Sequence, residues 1–393
     1  MKSMLILNEL HPIEQPGAAT IALDFASSLS SIMPTIFLFT SNADSTESVN
    51  ELQLVGVRRK RRKTFAGYTG QAIDFFYDCF DFFEAYRYVR IISSLNTDVV
   101  WVHQIGNVIP RLTLYFLSKK VKVYLTLHDY GLIVPRKLYP RDLSNSFLNR
   151  LGVQLNTQKG EYINSFMVRL QDTYYTFRRS ILKRLLKRCA FIAISDLQSE
   201  IYTEFGYKIS RVIANGIAPC NCKSSLEPRQ ERSILFVGRL IGKGLPRLLS
   251  SATQDDFIVY LAGDQELLEY ALAHSPTLNF VYLGRLEREQ VFETLHKIEF
   301  TYIASECFDV FPTIGIESIR HGAIPITTET TGIRDLVRHI HPSLVLRNEE
   351  ELVPLNELKQ HFTNGEFDLN RAAKELTTVE NAMDKFLSFS RIS

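Results

Sequence analysis

The sequence is poor in cysteine: five, at Cys79, Cys189, Cys220, Cys222 and Cys307, in 393 residues. A sparse, odd set argues against a disulfide framework and for a reducing compartment. Cys220 and Cys222 form a lone C-x-C with no second pair, which reads as two loop thiols rather than a zinc site. Long apolar runs are also missing. The amino terminus, MKSMLILNELHP, holds only a short apolar run, too short for a signal peptide. No stretch reaches the ~20 apolar residues of a membrane span. The expectation is a soluble cytoplasmic protein, free or peripheral on the inner face of the cell membrane. There is no GxGxxG fingerprint and no nucleic-acid-binding module, and the net charge is only +2. Nucleic acid is not an expected partner.

What is present is ordinary globular material, 45% hydrophobic and 22% charged. At ~100–200 residues per domain, the length predicts two domains. Charge divides them. Residues 1–200 carry 25 Lys and Arg against 17 Asp and Glu, while residues 201–393 carry the other 20 against 26. Apolar runs such as MLILNEL, PTIFLFTS, DVVWVHQ and KVYLTLHDY predict buried strands. RSILFVGRL, FIVYLAGD, NFVYLGRL, EFTYIAS and AIPITTE repeat the style in the second half. Helical spacing lies between them, as in AATIALDFASSLS with Ile21, Phe25 and Leu29 on one face. This alternation predicts an α/β fold of two doubly wound, mainly parallel sheets. ANGIAPCNCKSSLEP is turn-rich and unpatterned, so the boundary falls near it. The predicted domains are 1–208 and 209–375, with a last helix at about 376–393 that could pack on either.

Residues 138–165 read as a mobile loop. The basic run Arg58, Arg59, Lys60, Arg61, Arg62 and Lys63 reads as a solvated loop or as a contact with anionic lipid headgroups. The helix at Phe177–Arg188 has Ile181, Leu182, Leu185 and Leu186 on its apolar side, and either covers the sheet or lies on a membrane. Asp74, Asp78 and Asp81 share one helix face. They read as an exposed acidic stripe on a packed helix, with metal ligation as the alternative.

Ligands of doubly wound sheets sit beyond the carboxyl ends of the strands. Gly17 opens a helix after the first strand, where backbone could approach a phosphate. His128 ends a later strand. In the second half, Arg239 and Lys243 follow a strand in FVGRLIGKG and suit a diphosphate. Gly263 and Gly284 end the next two strands. Then ASECFDVFPTIGIESIRHGAIPIT places Glu306, Asp309 and Glu317 among apolar residues. Unpaired buried carboxylates are costly, so these acids need partners.

TLHDYGLIVPR, VIANGI, FVGRLIGKGLPRLL, LAGD, FVYLGRL and DVFPTIGIESIRHGAIPITTETTGIRDLV follow the order found in retaining glycosyltransferases of family four (glycosyl transferases group 1). The chain resembles that family from Asn8 to about Val337. The resemblance implies the two-Rossmann GT-B architecture, with the acceptor bound by the first domain and a UDP- or GDP-sugar by the second. It places Glu317 on the donor ribose and Asp309 on the transferred sugar. Phe311 and Thr313 offer backbone N–H groups to the donor, and Pro312 between them has none. Arg239 and Lys243 neutralise the diphosphate, Gly17 approaches the donor phosphates, and His128 lies near the donor sugar. His128, Arg239, Lys243 and Asp309 are thus the expected catalytic residues, and Gly263 and Gly284 join the donor-binding set.

The implied reaction is hexosyl transfer with retention to a glycan or lipid-linked acceptor, in cell-surface polysaccharide or lipopolysaccharide biosynthesis. The cations and helix ends stabilise the departing diphosphate, and closure of a cleft excludes water. No DxD triplet occurs, and no cofactor or metal is implied. The chain departs from the family pattern in having Asp309 where Glu is usual, a shortened Arg239–Lys243 interval, and Gly17-Ala18 for Gly-Gly. A non-catalytic GT-B partner subunit and a sugar-nucleotide epimerase using His128 and His103 are the alternatives.

Overall fold

The computed structural model describes residues 3–11, 17–59, 67–106, 108–134, 139–140, 165–217, 228–240, 242–305, 307–347 and 353–391. Cys220, Cys222, Glu306, the run 60–63 and nearly all of the loop at 138–165 lie outside them. The chain forms two compact units. One comprises Met1–Leu138, Asp142–Gly216 and Thr378–Ser393; the other comprises Tyr139–Arg141 and Ile217–Thr377.

The first unit holds β1 (Met4–Leu10), β2 (Thr35–Ser41), β3 (Ser45–Val49), β4 (Leu52–Arg58), β5 (Val99–Gln104) and β6 (Lys122–Leu127). A two-residue strand, β7 (Tyr139–Pro140), belongs to the second unit, and β8 (Ala190–Ala193) and β9 (Ile209–Val212) return to the first. The sheet order is β3-β4-β2-β1-β5-β6-β8-β9. All pairs are parallel except β3–β4, a hairpin at the edge. The buried runs are those expected: Leu5, Ile6, Val100, Val102 and Ile192 are fully covered. Residues 209–216 sit in this unit because β9 extends its sheet.

The last helix, Val379–Ser390, also packs on the first unit. Thr378 caps it, its hydroxyl accepting from the Asn381 N–H at 3.1 Å. Phe386 stacks on Trp101 with ring centroids 3.7 Å apart. The helix Ser165–Leu185 buries Tyr175 and Leu182, and Leu186 follows in the core, so its apolar side faces protein.

The acidic stripe is not what the spacing predicts. Asp74 is exposed, but Asp78 is 2% exposed and pairs with Arg111, itself buried. Asp78 also accepts from the Arg111 backbone N–H at 2.7 Å. Asp81 caps the helix Phe82–Ser94 by accepting from the Glu84 N–H at 3.0 Å. Aromatic side chains take the outside instead, Phe83 at 90% exposure. The partner that draws Asp78 inward lies far along the chain, beyond the reach of a local pattern.

The second unit holds β10 (Gln230–Gly238), β11 (Ile258–Gly263), β12 (Phe280–Gly284), β13 (Ile298–Tyr302), β14 (Cys307–Phe308), β15 (Ile324–Thr328) and β16 (Val345–Leu346). Its main sheet runs β12-β11-β10-β13-β15-β16, parallel throughout. β14 pairs antiparallel with β7. The core gathers Ile234, Phe236, Val259, Leu261, Phe300 and Ile326. Each such side chain contributes ~1.5–3 kcal/mol on burial. Among the described residues, no helix is long and apolar enough to cross a membrane.

Candidate functional site

In the second unit the chain runs outward from β10 through β11 to β12, then returns to the other side of β10 for β13 and β15. The carboxyl ends of β10 and β13 therefore flank the switch point, where open parallel sheets leave a crevice. After β10 the chain turns through Arg239, Gly242, Lys243 and Gly244 into the helix Leu245–Asp255. Gly244 has φ +74°, and a Cβ there would lie 2.4 Å from the Ala304 carbonyl oxygen. Glycine lets this turn press against the end of β13, which delivers Lys243 to the crevice.

There Lys243 Nζ meets Asp309 Oδ2 at 2.6 Å and Ser305 Oγ at 3.2 Å. Ser305 donates to the same Asp309 oxygen at 3.0 Å. Asp309 is fixed by its backbone. Its N–H donates to Thr330 O at 3.0 Å, and its C=O accepts from the Gly332 N–H at 2.8 Å. The pair is half open: the Lys243 side chain is 36% exposed and that of Asp309 14%.

The helix Thr313–Arg320 begins after Pro312, whose carbonyl accepts from the Gly315 N–H. Its first N–H groups lack acceptors within the helix and favour an anion. Phe311 and Ile314 pack on the core. Glu317, one turn in, is 13% exposed and lies 3.6 Å from Arg288, which opens the helix Arg288–Lys297. Burial raises the Glu317 pKa, and Arg288 partly opposes the rise. Asp309 and Glu317 thus have protein partners already, where the sequence suggested that a bound ligand supplies them. Ser305 was missed because the acids of its stretch drew the reading, and Arg288 because it falls in no recognisable motif.

The glycines differ among themselves. A Cβ on Gly263 would lie 2.2 Å from the Gly238 carbonyl oxygen, so this glycine allows two strand ends to pack. Gly284 has φ +70° and open space around it. Arg239 is exposed. Nearby, Asp264 pairs with Arg285, and its pKa is lowered by that hydrogen bond first, then by the fields of Arg285 and Arg239.

In the first unit, Gly17 (φ +94°) opens the helix Ala18–Ser30 with no neighbour near a would-be Cβ. Its backbone angle, rather than crowding, calls for glycine. His128 follows β6 and lines a cavity of ≈ 170 Å³ with Ala18, Gln104, Arg111, Asp129 and Tyr202. Its Nε2 lies 3.0 Å from Nδ1 of buried His103. Burial lowers the His128 pKa to about 4 and that of His103 well below the ordinary range. At the sheet's own switch point, buried Glu9 accepts from the N–H groups of Gly106, Val108 and Ile109.

Among the described residues, His341, His361 and Glu366 come nearest to a metal-binding group. Nδ1 of His341 is already bonded to Ser343 and that of His361 to Glu366, so local hydrogen bonds account for the cluster.

Residues 221–353 match the family described as Glycosyl transferases group 1. The matched segment contains Arg239, Lys243, Gly263, Gly284, Asp309, Phe311, Pro312, Thr313 and Glu317. No curated protein matches the chain by sequence. Among solved structures, the fold is similar to sucrose-phosphate synthase from Thermosynechococcus elongatus (TM-score 0.66, 11% identity, covering 100% of this chain and 98% of that one). It is also similar to Alr3699/HepE of Anabaena, solved with UDP and glucose (TM-score 0.65, 12% identity, 100% of both chains). A third is α,α-trehalose 6-phosphate synthase from Burkholderia multivorans (TM-score 0.63, 11% identity, 99% and 98%). The expected GT-B architecture holds, and the matched domain bears out the expectation of a glycosyltransferase.

Proposed function

We propose that the protein transfers a hexosyl group, with retention, from a UDP- or GDP-sugar to a glycan or lipid-linked acceptor in the making of a cell-surface polysaccharide or lipopolysaccharide. The observation that carries this reading is the Lys243–Ser305–Asp309 cluster at the switch point of the matched domain. A nucleotide-sugar donor is further supported by the UDP in the Anabaena structure.

The chemistry follows from charge. Leaving of the nucleoside diphosphate builds negative charge on its phosphate oxygens and positive character on the anomeric carbon. Lys243 and Arg239 stabilise the first, as do the N–H groups opening the Thr313–Arg320 helix. In the free protein Lys243 is held by Asp309, so it is oriented before the diphosphate arrives. Asp309 then accepts from hydroxyls of the transferred sugar. Glu317, kept in place by Arg288, accepts from the ribose hydroxyls. Gly17 and His128 keep the roles the resemblance implies, at the donor phosphates and sugar. The acceptor hydroxyl attacks on the leaving-group face. The basic first half suits an anionic acceptor, and the run Arg58–Lys63 suits an anionic membrane surface.

The test is a panel of UDP- and GDP-sugars, read by donor hydrolysis and by binding. Turnover of one donor, lost in Lys243→Ala, supports the reading. Binding without turnover, with cellular glycan unchanged in Glu317→Ala, would instead mark a non-catalytic partner. A sugar epimerised without acceptor would mark an epimerase. No binding of any nucleotide sugar sinks all three.

A further inference from the structure

Eleven large apolar side chains stand exposed among the described residues, and six of them fall between Phe76 and Tyr86. This stretch is the corner where the helix Gly67–Phe80 meets the helix Phe82–Ser94. Phe76 and Phe80 lie ring to ring at 5.3 Å. Exposed Phe177 joins them through Phe75, which sits 6.4 Å from Phe80 and 6.3 Å from Phe177. Exposed aromatic clusters of this kind mark interaction surfaces rather than ordinary solvent-facing helix.

The charges beside the rings are of both signs, and two of the cations, Arg58 and Arg90, are left without an ion pair among the described residues. A groove of ≈ 850 Å³ runs between Phe83, Tyr86, Arg87 and Arg90 on one side and Ser45 and Thr46 on the other. Arg87 is spent on Glu84 and on the Arg58 carbonyl oxygen. Arg90 is exposed and makes no ion pair among the described residues, and Arg58 is exposed at the end of β4. Of the acids, Glu84 is paired, Asp81 is used as a cap, and Asp44, which lines the groove, accepts from the Arg58 backbone N–H at 2.7 Å, while Asp74 is exposed. A cluster of aromatic rings at a helical corner, with the guanidinium groups of Arg58 and Arg90 at its edge, complements an anionic bilayer. The rings suit the interfacial layer and the guanidinium groups the headgroup phosphates.

We propose that the Phe76–Tyr86 corner is a membrane-docking surface, with Phe76, Phe80 and Phe83 entering the interface and Arg58 and Arg90 at anionic headgroups. This rests on the reading of the protein as a peripheral membrane enzyme, and it names the surface that makes it one.

The experiment is co-sedimentation with phosphatidylcholine vesicles, with and without phosphatidylglycerol. The wild-type protein is expected to sediment with the anionic vesicles. Phe76→Ser with Phe83→Ser should weaken that partition about tenfold or more. Arg90→Glu, which removes no apolar surface, should weaken it on anionic vesicles alone. Donor hydrolysis without vesicles should be unchanged in both, which separates this proposal from the reading of the donor site. Absence of wild-type binding overturns the proposal, as does undiminished binding of the Phe variant. A dimer that the Phe variant splits, with vesicle binding intact, also overturns it in favour of a second copy on this face.

Discussion

One ion pair of the first unit and two of the second differ in exposure rather than in chemistry. In the first unit, Asp78 and Arg111 are 3% and 9% exposed. In the second, the cations of the Lys243–Asp309 and Arg288–Glu317 pairs are 36% and 39% exposed. A closed pair keeps its charges on each other, so its first role is to hold structure. An open pair keeps one face of its cation toward solvent, where an incoming anion can share it. Together with their place at the switch point, that openness assigns Lys243–Asp309 and Arg288–Glu317 to a site and Asp78–Arg111 to the scaffold.

The sharpest way to break the comparison is to unpair each kind. Arg111→Ala leaves the buried Asp78 carboxylate without its ion-pair partner, with only the backbone N–H of residue 111, and is expected to cost ~3–5 kcal/mol of stability. Urea unfolding measures this, and a loss below ~1 kcal/mol would remove the scaffold reading. Lys243→Ala should cost less stability than Arg111→Ala but lower turnover ~10²–10³-fold. Equal damage to stability from both would erase the distinction.

Glycines sharpen the point on a smaller scale. Gly244→Ala must push its Cβ into the Ala304 carbonyl oxygen at an unfavourable φ. A loss of more than ~2 kcal/mol is expected, with loss of activity as Lys243 moves. Gly284→Ala meets open space and should cost only ~1–2 kcal/mol, the strain of its left-handed backbone. Matched losses in thermal melts would mean that backbone angle alone matters.

The pH response is gentler. His128 titrates at about 4 in the fold against 6.5 when unfolded, and His103 is lowered too. As the pH falls from 6.5 toward 4, the unfolded chain takes up protons that the folded histidines refuse. Their contribution is therefore full above about 6.5 and lost on acidification. His103→Phe should flatten the decline in Tm between pH 7 and 5. Glu317 carries the opposite sign, because burial favours its protonated form. Glu317→Gln is expected to raise Tm slightly at neutral pH while weakening nucleotide-sugar binding. A fall in Tm would show that Arg288 outweighs burial.

Much of this was legible in the sequence, where one local signal sufficed. Continuous apolar runs located β1, β5, β10 and β13, because strands buried on both faces need no alternation. The hairpin edge was not legible: Ser45–Val49 is exposed throughout and carries no apolar pattern. At the site, motif spacing picked out Lys243, Asp309 and Glu317 but not Ser305 or Arg288. Ser305 meets Lys243, and Arg288 meets Glu317, only because the fold brings them near. Asp78 failed for the same reason. Its periodicity marked a surface, and one distant arginine overrode it.

The stacking of Phe386 on Trp101 bears on the order of synthesis. Trp101 lies in a central strand translated early, yet its covering ring comes from the helix at Val379–Ser390. Tyr124, also in the first sheet, packs its ring against the same Phe386. While the whole second unit is still being made, this part of the first sheet must wait without Phe386, with Phe25 of the helix Ala18–Ser30 already 5.0 Å from Trp101. The second unit, by contrast, has all its strands before that helix emerges. The chain should therefore complete its later-encoded half first, and a nascent polypeptide stalled short of residue 379 should present Trp101 to chaperones.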